Sequence, residues 1–469
     1  MSQPRNVVFI MTDQQHFRTL GCHGVQEART PNIDRLAACG TTFRNHIVTN
    51  PVCSPSRASI MTGKHITEHG LWANGVRLPE AWNTTIPQAL AAAGFQTAHF
   101  GKLHLVPIIN RIEKHPPYGF QACEVAEGDQ QLLDDEYFRW LRVTDPDLFV
   151  AYANEMFQKG HAVGYKSLMP EDKHLSTWVT GRAIDWLRHC RRKDQPFFLS
   201  VGYFDPHHAF NPCEPYASLY DSIDVAPPVF RDGSIETRPA AYRRHFEGCR
   251  AVTRDRDRMT GILKAYHAMM AHLDACVGRL VAAVQQEGLG GRTAVVFTSD
   301  HGELLGNHGL LWKGPYMLDD LMRVPLIVSL PGDKRAGAWT DEVTSGTDIM
   351  ATVLSLAGVA GGPVESGQRL MDADLGLFPD GSRGYALAEW EHPRAGDNGS
   401  LRMIRTKELK LIHYNGSSEG ELYDLANDPN EYTSHYDSPA YADVRRRLTD
   451  QLAGLYMSRR PRVRFEGAW

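Results

Sequence analysis

"NVVFIMTD", residues 6–13, is a run of apolar and β-branched residues that ends in a threonine and an acid. It is apolar at successive positions, so both of its faces want burial. That predicts a parallel strand in the middle of a sheet, with Asp13 presented at its C-terminal end. "TAVVFTSDHGE", residues 293–303, repeats the pattern and ends in Asp300-His301. "QTAHFG" (96–101), "PFFLSVGYFD" (196–205) and "VPLIVSLPG" (324–332) read as further strands. Between them lie helical patterns. In "TPNIDRLAACG" (30–40), Thr30 is placed to cap, Pro31 suits the first turn, Ile33, Leu36 and Ala37 share a face, and Gly40 closes the helix. "TTIPQALAAAGF" (84–95), "STWVTGRAIDWLRHC" (176–190), the long stretch 259–288 and "TDIMATVLSLAG" (347–358) follow the same logic. Alternating strands and helices predict an α/β sandwich around a large, mostly parallel sheet. A site is expected where polar groups gather at the C-terminal strand ends.

After about residue 365 the character changes to short strands and turns: "GYALAEWEH", "LRMIRTKELKLIHYN" and "GELYDLANDPNE". We expect a larger domain over 1–365 and a smaller C-terminal α+β subdomain over 366–469, with a small sheet and a basic tail, "MSRRPRVRFEGAW". The tail reads as a disordered end or as an arm docking on its own or a neighbouring subunit.

The chain has 469 residues, 42% of them hydrophobic and 22% charged, with a formal net charge of -5. That is ordinary globular composition, with no basic footprint for nucleic acid. No stretch has the length and apolarity of a membrane span. "MSQPRNVVFIMTDQQ" has no charged leader, apolar run and cleavage site, so a cytoplasmic location is expected. The eight cysteines include no CxxC pair, and both a zinc-site and a disulfide-framework reading fail on spacing. Most are expected to be reduced and buried.

Asp13-Gln14 and Asp300-His301 stand at two matching strand ends. Carboxylates, an amide oxygen and an imidazole suit a divalent cation. A third feature is "NPVCSPSRASIMTG", residues 50–63, which sets Cys53 ahead of Pro55, Ser56 and Arg57.

Cys53-Ser54-Pro55-Ser56-Arg57, with Thr62-Gly63 beyond, resembles the signature of the type I sulfatases, in which this cysteine is oxidised to formylglycine. The resemblance spans nearly the whole chain: "TDQQ" (12–15), "TPNIDRLAACGTTF" (30–43), "GFQTAHFGKLHL" (94–105), "FDPHHAF" (204–210), "TSDHGELLGNHGLLWKG" (298–314), "MRVPLIV" (322–328) and "ELYDLANDPNE" (421–431). It implies an alkaline-phosphatase-like fold, with residues 1–365 as the sulfatase domain. By resemblance, Asp13, Gln14, Asp300, His301 and the modified Cys53 bind one divalent metal ion. The formylglycine hydrate is the nucleophile, and Arg57 holds it. Lys102 and Lys313 contact the sulfuryl oxygens, and His104 helps collapse the covalent intermediate. His207 is the acid near the leaving group, and Asn74 is a polar substrate contact. His308 is read as structural and His208 as pocket wall. A formylglycine-generating enzyme is implied during maturation, and homo-oligomers are common in this group.

The acid pairs divide the family. Aspartate-glutamine with aspartate-histidine looks like the branch of phosphonate monoester hydrolases, choline sulfatases and promiscuous arylsulfatases. An amide in place of a carboxylate removes a negative charge, and an imidazole in place of an amide favours Mn²⁺ over Ca²⁺. The expected function is hydrolysis of an aryl or small organic sulfate. Phosphonate monoester or phosphodiester hydrolysis with the same nucleophile is the alternative. A binding protein with an unmodified Cys53 is a third. Specificity is expected from loops within 110–176 and 210–256, and the arginine-rich stretch 243–258 reads as a solvated helix face.

Overall fold

The computed structural model describes residues 6–107, 115–128, 135–160, 163–359, 366–372, 374–391 and 399–458. The basic tail beyond Ser458 lies outside the described residues. Nine strands form the central sheet among them: β1 (Asn6–Thr12), β2 (Thr41–Ile47), β3 (Gln96–Gly101), β4 (Ala122–Val125), β5 (Phe197–Gly202), β6 (Thr293–Ser299), β7 (Arg323–Val324), β8 (Leu326–Ser329) and β9 (Ala338–Ser345). The order is β4-β3-β5-β1-β6-β8-β2-β7, with β9 also on β2. From β4 to β6 every pairing is parallel; β8 then runs antiparallel to both β6 and β2.

Every residue of β1 is buried. Val8 and Ile10 join one apolar layer with Trp178 and Leu273, while Val7, Phe9 and Met11 join the opposite layer with Ile60 and Ile349. That two-sided burial is why the strand reads as an unbroken apolar run. Each such side chain contributes about 1.5–3 kcal/mol when fully buried.

The register aligns the strand ends. Thr12 pairs with Ser299, Met11 with Gly202, and Gly101 with Gly202. The residues that follow these strands, Asp13, Lys102 and Asp300, therefore emerge together. Gly101 has φ +99°, and a Cβ there would stand 2.0 Å from the Gly202 carbonyl oxygen. The two strands close tightly there because neither glycine carries a side chain.

Some local readings change. Thr30 does not cap the helix Pro31–Ala38. Asp274, on the helix Arg256–Gln286, accepts the Asn32 and Ile33 N–H groups instead, at 3.0 and 2.8 Å. Thr30 Oγ1 turns to accept the Gly21 N–H. The stretches read as loops carry the helices Glu136–Thr144, Pro146–Lys159 and Ala240–Thr253. Tyr137, Phe138 and Leu141 form the buried stripe of the first. In the last, Arg243, Arg244 and Arg250 are exposed, so the solvated face is as expected. Of the eight cysteines, Cys53, Cys213, Cys249 and Cys276 are buried, while Cys39 and Cys190 are exposed.

A four-stranded antiparallel sheet (Tyr385–Glu391, Ser400–Thr406, Leu409–Tyr414, Gly420–Asp424) packs one face on Leu318 and Met322 of the main body. Its other face takes Leu448 and Leu452 of the helix Ala442–Ser458. Among the described residues, no helix is long and apolar enough to cross a membrane.

Three fully buried histidines carry a pH dependence. Burial lowers His46, His69 and His99 from 6.5 to about 3, so the folded chain keeps them neutral. The unfolded chain protonates them below about pH 6.5. Between the two values the unfolded state holds more protons, so unfolding free energy falls as pH drops. Each histidine contributes a slope of about 1.4 kcal/mol per pH unit. Urea midpoints should fall from pH 7 to pH 5, and His99→Gln should flatten that fall by one proton.

Candidate active site

The helix Cys53–Thr62 is buried at all ten positions. Asn50 Oδ1 accepts the Val52 N–H at 2.9 Å, and Gly63 ends the helix in the left-handed region with φ 65°. Cys53 is the first helical residue, and Arg57, one turn on, shares its face. The helix thus delivers both side chains to the aligned strand ends.

Arg57 has no solvent exposure. Its Nη2 donates to Asp13 Oδ2 at 3.0 Å, Nε to Asp300 Oδ2 at 2.7 Å, and Nη1 to the Lys102 carbonyl at 2.9 Å. Lys102 Nζ also pairs with Asp13 Oδ2, at 2.8 Å. Burial pushes the Asp13 carboxyl up, but Lys102, His207 and Lys313 overcome it and hold the group well below the usual carboxylate range. Asp300 Oδ1 accepts the backbone N–H groups of Gln14 and His301 at 3.1 and 2.8 Å.

Cys53 Sγ lies 3.2 Å from His301 Nε2, 3.1 Å from Lys313 Nζ and 3.7 Å from Asp13 Oδ1. Burial raises its pKa, yet Lys313, Lys102, His301 and a hydrogen bond from His104 bring it well below the ordinary thiol value. Lys313 Nζ is ringed by acceptors: Gln14 Oε1 at 2.7 Å, His207 Nε2 at 2.8 Å and His301 Nε2 at 3.3 Å, besides the sulfur. A positive charge therefore already stands at the focus of the donor set.

His301 Nδ1 donates to the Gly302 carbonyl at 2.8 Å, which turns Nε2 toward the cluster; burial lowers the pKa of the ring, but Asp300 and the Cys53 sulfur raise it above the ordinary value. Ligand atoms of Asp13, Cys53, Asp300 and His301 all lie within 4.8 Å of one another. Two carboxylates, an imidazole and the Gln14 amide oxygen nearby suit a divalent cation of the calcium or manganese type.

His207 donates from Nδ1 to the His208 carbonyl at 2.8 Å and accepts from Lys313 at Nε2. Burial and Lys313 lower its pKa to about 4, so the ring is neutral at pH 7. His104 takes a left-handed backbone, φ 50°, its N–H donating to Glu127 Oε1 at 2.9 Å; Gln14 has φ 61°. Strained backbones of this kind collect at functional sites. Asn74 is exposed at the margin, where its Oδ1 accepts the Ser54 N–H at 3.0 Å and steadies the start of the Cys53 helix. His308 sits apart, 3.5 Å from Asp320 Oδ2. His208 does more than line a wall, since its Nδ1 is 3.0 Å from Gln14 Nε2.

Sequence reasoning missed Glu303 and Ser56. Glu303, buried, accepts from Gln14 Nε2 and from the Leu305 N–H at 3.0 Å, fixing which way the Gln14 amide points. Its place in "DHGE", three residues past Asp300, was the available signal. Ser56 Oγ donates to the Asp300 carbonyl and ties the helix to the strand end.

The sulfatase family model matches residues 5–359, and a model described as the N-sulphoglucosamine sulphohydrolase C-terminal region matches residues 306–458. An arylsulfatase of Clostridium perfringens is 29% identical, covering 96% of this chain and 94% of its own. A multifunctional alkaline phosphatase superfamily protein of Trinickia caryophylli is 27% identical over 98% of this chain and 96% of its own. The crystal structure of the phosphonate monoester hydrolase of Agrobacterium radiobacter shares the fold, with a TM-score of 0.78 at 24% identity over 97% of this chain and 95% of its own. A family model that runs through the sheet, the Cys53 helix and both acid-bearing strand ends makes the chain a member of the sulfatase family of the alkaline phosphatase superfamily, a sulfuric ester hydrolase.

Proposed function

We propose that the chain hydrolyses an aryl or small organic sulfate, using formylglycine made from Cys53 and one divalent cation held by Asp13, Gln14, Asp300 and His301. The observation that carries this reading is the setting of Cys53, on the first turn of a buried helix, facing His301, Lys313 and Asp13. When bound, the cation would supply Lewis-acid charge to the nucleophile and the sulfuryl oxygens. The aldehyde hydrate would supply two hydroxyls, one to attack sulfur and one to release sulfate. Overall, water is added across the ester O–S bond, giving the alcohol or phenol, sulfate and a proton.

The chain's own residues do the rest. Arg57 holds Asp13 and Asp300 in place behind the nucleophile. Lys102 and Lys313 oppose the charge that gathers on the non-bridging oxygens. His207 is neutral and accepts from the Lys313 ammonium at Nε2, so that ammonium, rather than a stored imidazolium, is the proton source for the departing oxygen. Phe204, His207, His208 and Trp312 are partly exposed and pack ring to ring, with centroids of successive pairs 4.6, 4.0 and 6.3 Å apart. That aromatic rim supports an aryl leaving group.

Glu303→Gln should leave the fold intact, turn an amide N–H₂ toward Gln14 Nε2 and displace its Oε1. Metal affinity should fall about 10–100-fold, as for partners that orient ligands. Metal titration by calorimetry checks it, and unchanged affinity would separate Gln14 from the ion.

A second reading, phosphonate monoester or phosphodiester hydrolysis, fits the same balance of Asp13 and Asp300 against Arg57, Lys102 and Lys313, because those esters are monoanions as sulfate esters are. Such a site suits monoanionic esters. The deciding experiment compares kcat/KM for an aryl sulfate and an aryl phosphonate monoester with the same phenol, on metal-replete protein whose Cys53 segment is shown by mass spectrometry to carry formylglycine. A sulfate preference of several orders of magnitude upholds the first reading; a phosphonate preference replaces it with the second.

A further inference from the structure

Among the described residues a second group of metal-ligating side chains packs tightly enough to share one ion, and it lies outside the Cys53 centre: His174, Cys213 and His272. All three are buried, and their ligand atoms lie within 4.8 Å of one another. They come from three parts of the fold. His174 caps the helix Leu175–Asp185, Cys213 follows the loop that carries His207, and His272 lies inside the helix Arg256–Gln286.

The geometry is that of a thiolate–imidazole site. Cys213 Sγ stands 3.8 Å from His272 Nδ1. A tetrahedral zinc with sulfur at about 2.3 Å and nitrogen at about 2.0 Å sets those two atoms about 3.5 Å apart. The Thr177 hydroxyl lies 3.0 Å from His272 Nε2, and in the tautomer that donates to it the Nδ1 lone pair faces the sulfur. Asp205 Oδ2, itself held by the Ser176 hydroxyl at 2.6 Å, stands 3.8 Å from His174 Nδ1. His174 Nδ1 accepts the Ser176 N–H at 3.3 Å, and that bond fixes the orientation of its ring. One sulfur and two nitrogens exclude the oxygen-seeking calcium and magnesium.

We propose that His174, Cys213 and His272 form a second, structural metal site for zinc or a similarly thiophilic divalent ion. Burial keeps both imidazoles neutral, as ligation requires. It also raises the Cys213 thiol, so binding releases one proton: thiol plus M²⁺ gives the metal thiolate plus H⁺. The ion would tie two helices to the segment 205–213. That segment also reaches the catalytic centre, because the Asp205 carbonyl accepts the Asp13 N–H at 3.4 Å. Zinc there would fix the loop that presents His207.

Cobalt(II) is the probe. Full-length Cys53→Ala protein, freed of metal by chelation, carries no thiol at the catalytic centre. Titration with Co²⁺ should give a near-UV thiolate-to-cobalt charge-transfer band with intense visible bands of tetrahedral cobalt, lost on adding Zn²⁺; cobalt at the thiol-free catalytic centre adds no charge-transfer band. Adding Cys213→Ser, or His174→Gln as an independent variant, to that background should abolish the bands while far-UV circular dichroism stays unchanged. No charge-transfer band in the Cys53→Ala protein, or a band that survives both variants, would overturn the proposal.

Discussion

Cys53→Ala protein is expected to fold, bind its divalent ion more weakly, and lose turnover of sulfate esters by about 10⁴-fold or more, the scale of losing a covalent nucleophile. The fold should tolerate the change. The substitution removes one sulfur atom at the first turn of the helix Cys53–Thr62, and the remaining nine buried positions keep their packing. Large-to-small changes of this size cost on the order of 1 kcal/mol. The local electrostatics should also survive, because Lys313 keeps Gln14 Oε1 and His207 Nε2 as acceptors after the sulfur is gone. What disappears is the atom that faces Asp13, His301 and Lys313 together. The expected signature is therefore a collapse of kcat with little change in thermal midpoint. Turnover within tenfold of the parent would show that Cys53 is not the nucleophile, and a large drop in midpoint would show that its first role is packing. Protein in which Cys53 stays a thiol should behave like the alanine variant, since a single thiolate has no second hydroxyl with which to expel sulfate.

The sheet and the gathering of Asp13, Cys53, Asp300 and His301 were legible because their signals are local. A strand buried on both faces must be apolar throughout, so β1 and β6 announce themselves, and the acids after them fall at matching ends once the strands pair in register. Cys53 and Arg57 are legible as a pair because four residues make one helical turn. Other features depend on partners far along the chain. Nothing near Thr30 signals that Asp274 will take over the cap of the helix Pro31–Ala38. Nothing near Gln14 signals that Glu303 will orient its amide. The helix Ala442–Ser458 buries only Leu448 and Leu452, too narrow a stripe to stand out among its arginines. The side chains of the proposed His174–Cys213–His272 site are likewise gathered by three separate elements and share no motif, so spacing carries no signal for them.

Arg57→Ala should produce the largest loss of stability, about 3–5 kcal/mol, the cost of removing one partner from a buried charge network. Arg57 is the only guanidinium that touches both Asp13 and Asp300 among the described residues, and all three side chains are fully buried. Neither carboxylate can turn to water once the guanidinium is gone. Lys102 still reaches Asp13 Oδ2 at 2.8 Å, but Asp300 Oδ2 is left without its 2.7 Å donor, and the Lys102 carbonyl loses the Arg57 Nη1–H. Alanine also leaves a cavity beneath the Cys53 helix, which adds to the cost. A bound divalent cation supplies part of the missing positive charge, so the destabilisation should be larger in EDTA than in metal-loaded protein, measured as the difference between urea midpoints of variant and parent under each condition. Arg57→Lys keeps one charge but cannot fork to two carboxylates and a carbonyl at once, so it should fall between the two. Equal losses with and without metal would mean that the cation and Arg57 do not share Asp13 and Asp300, and that the ion is held elsewhere in the chain.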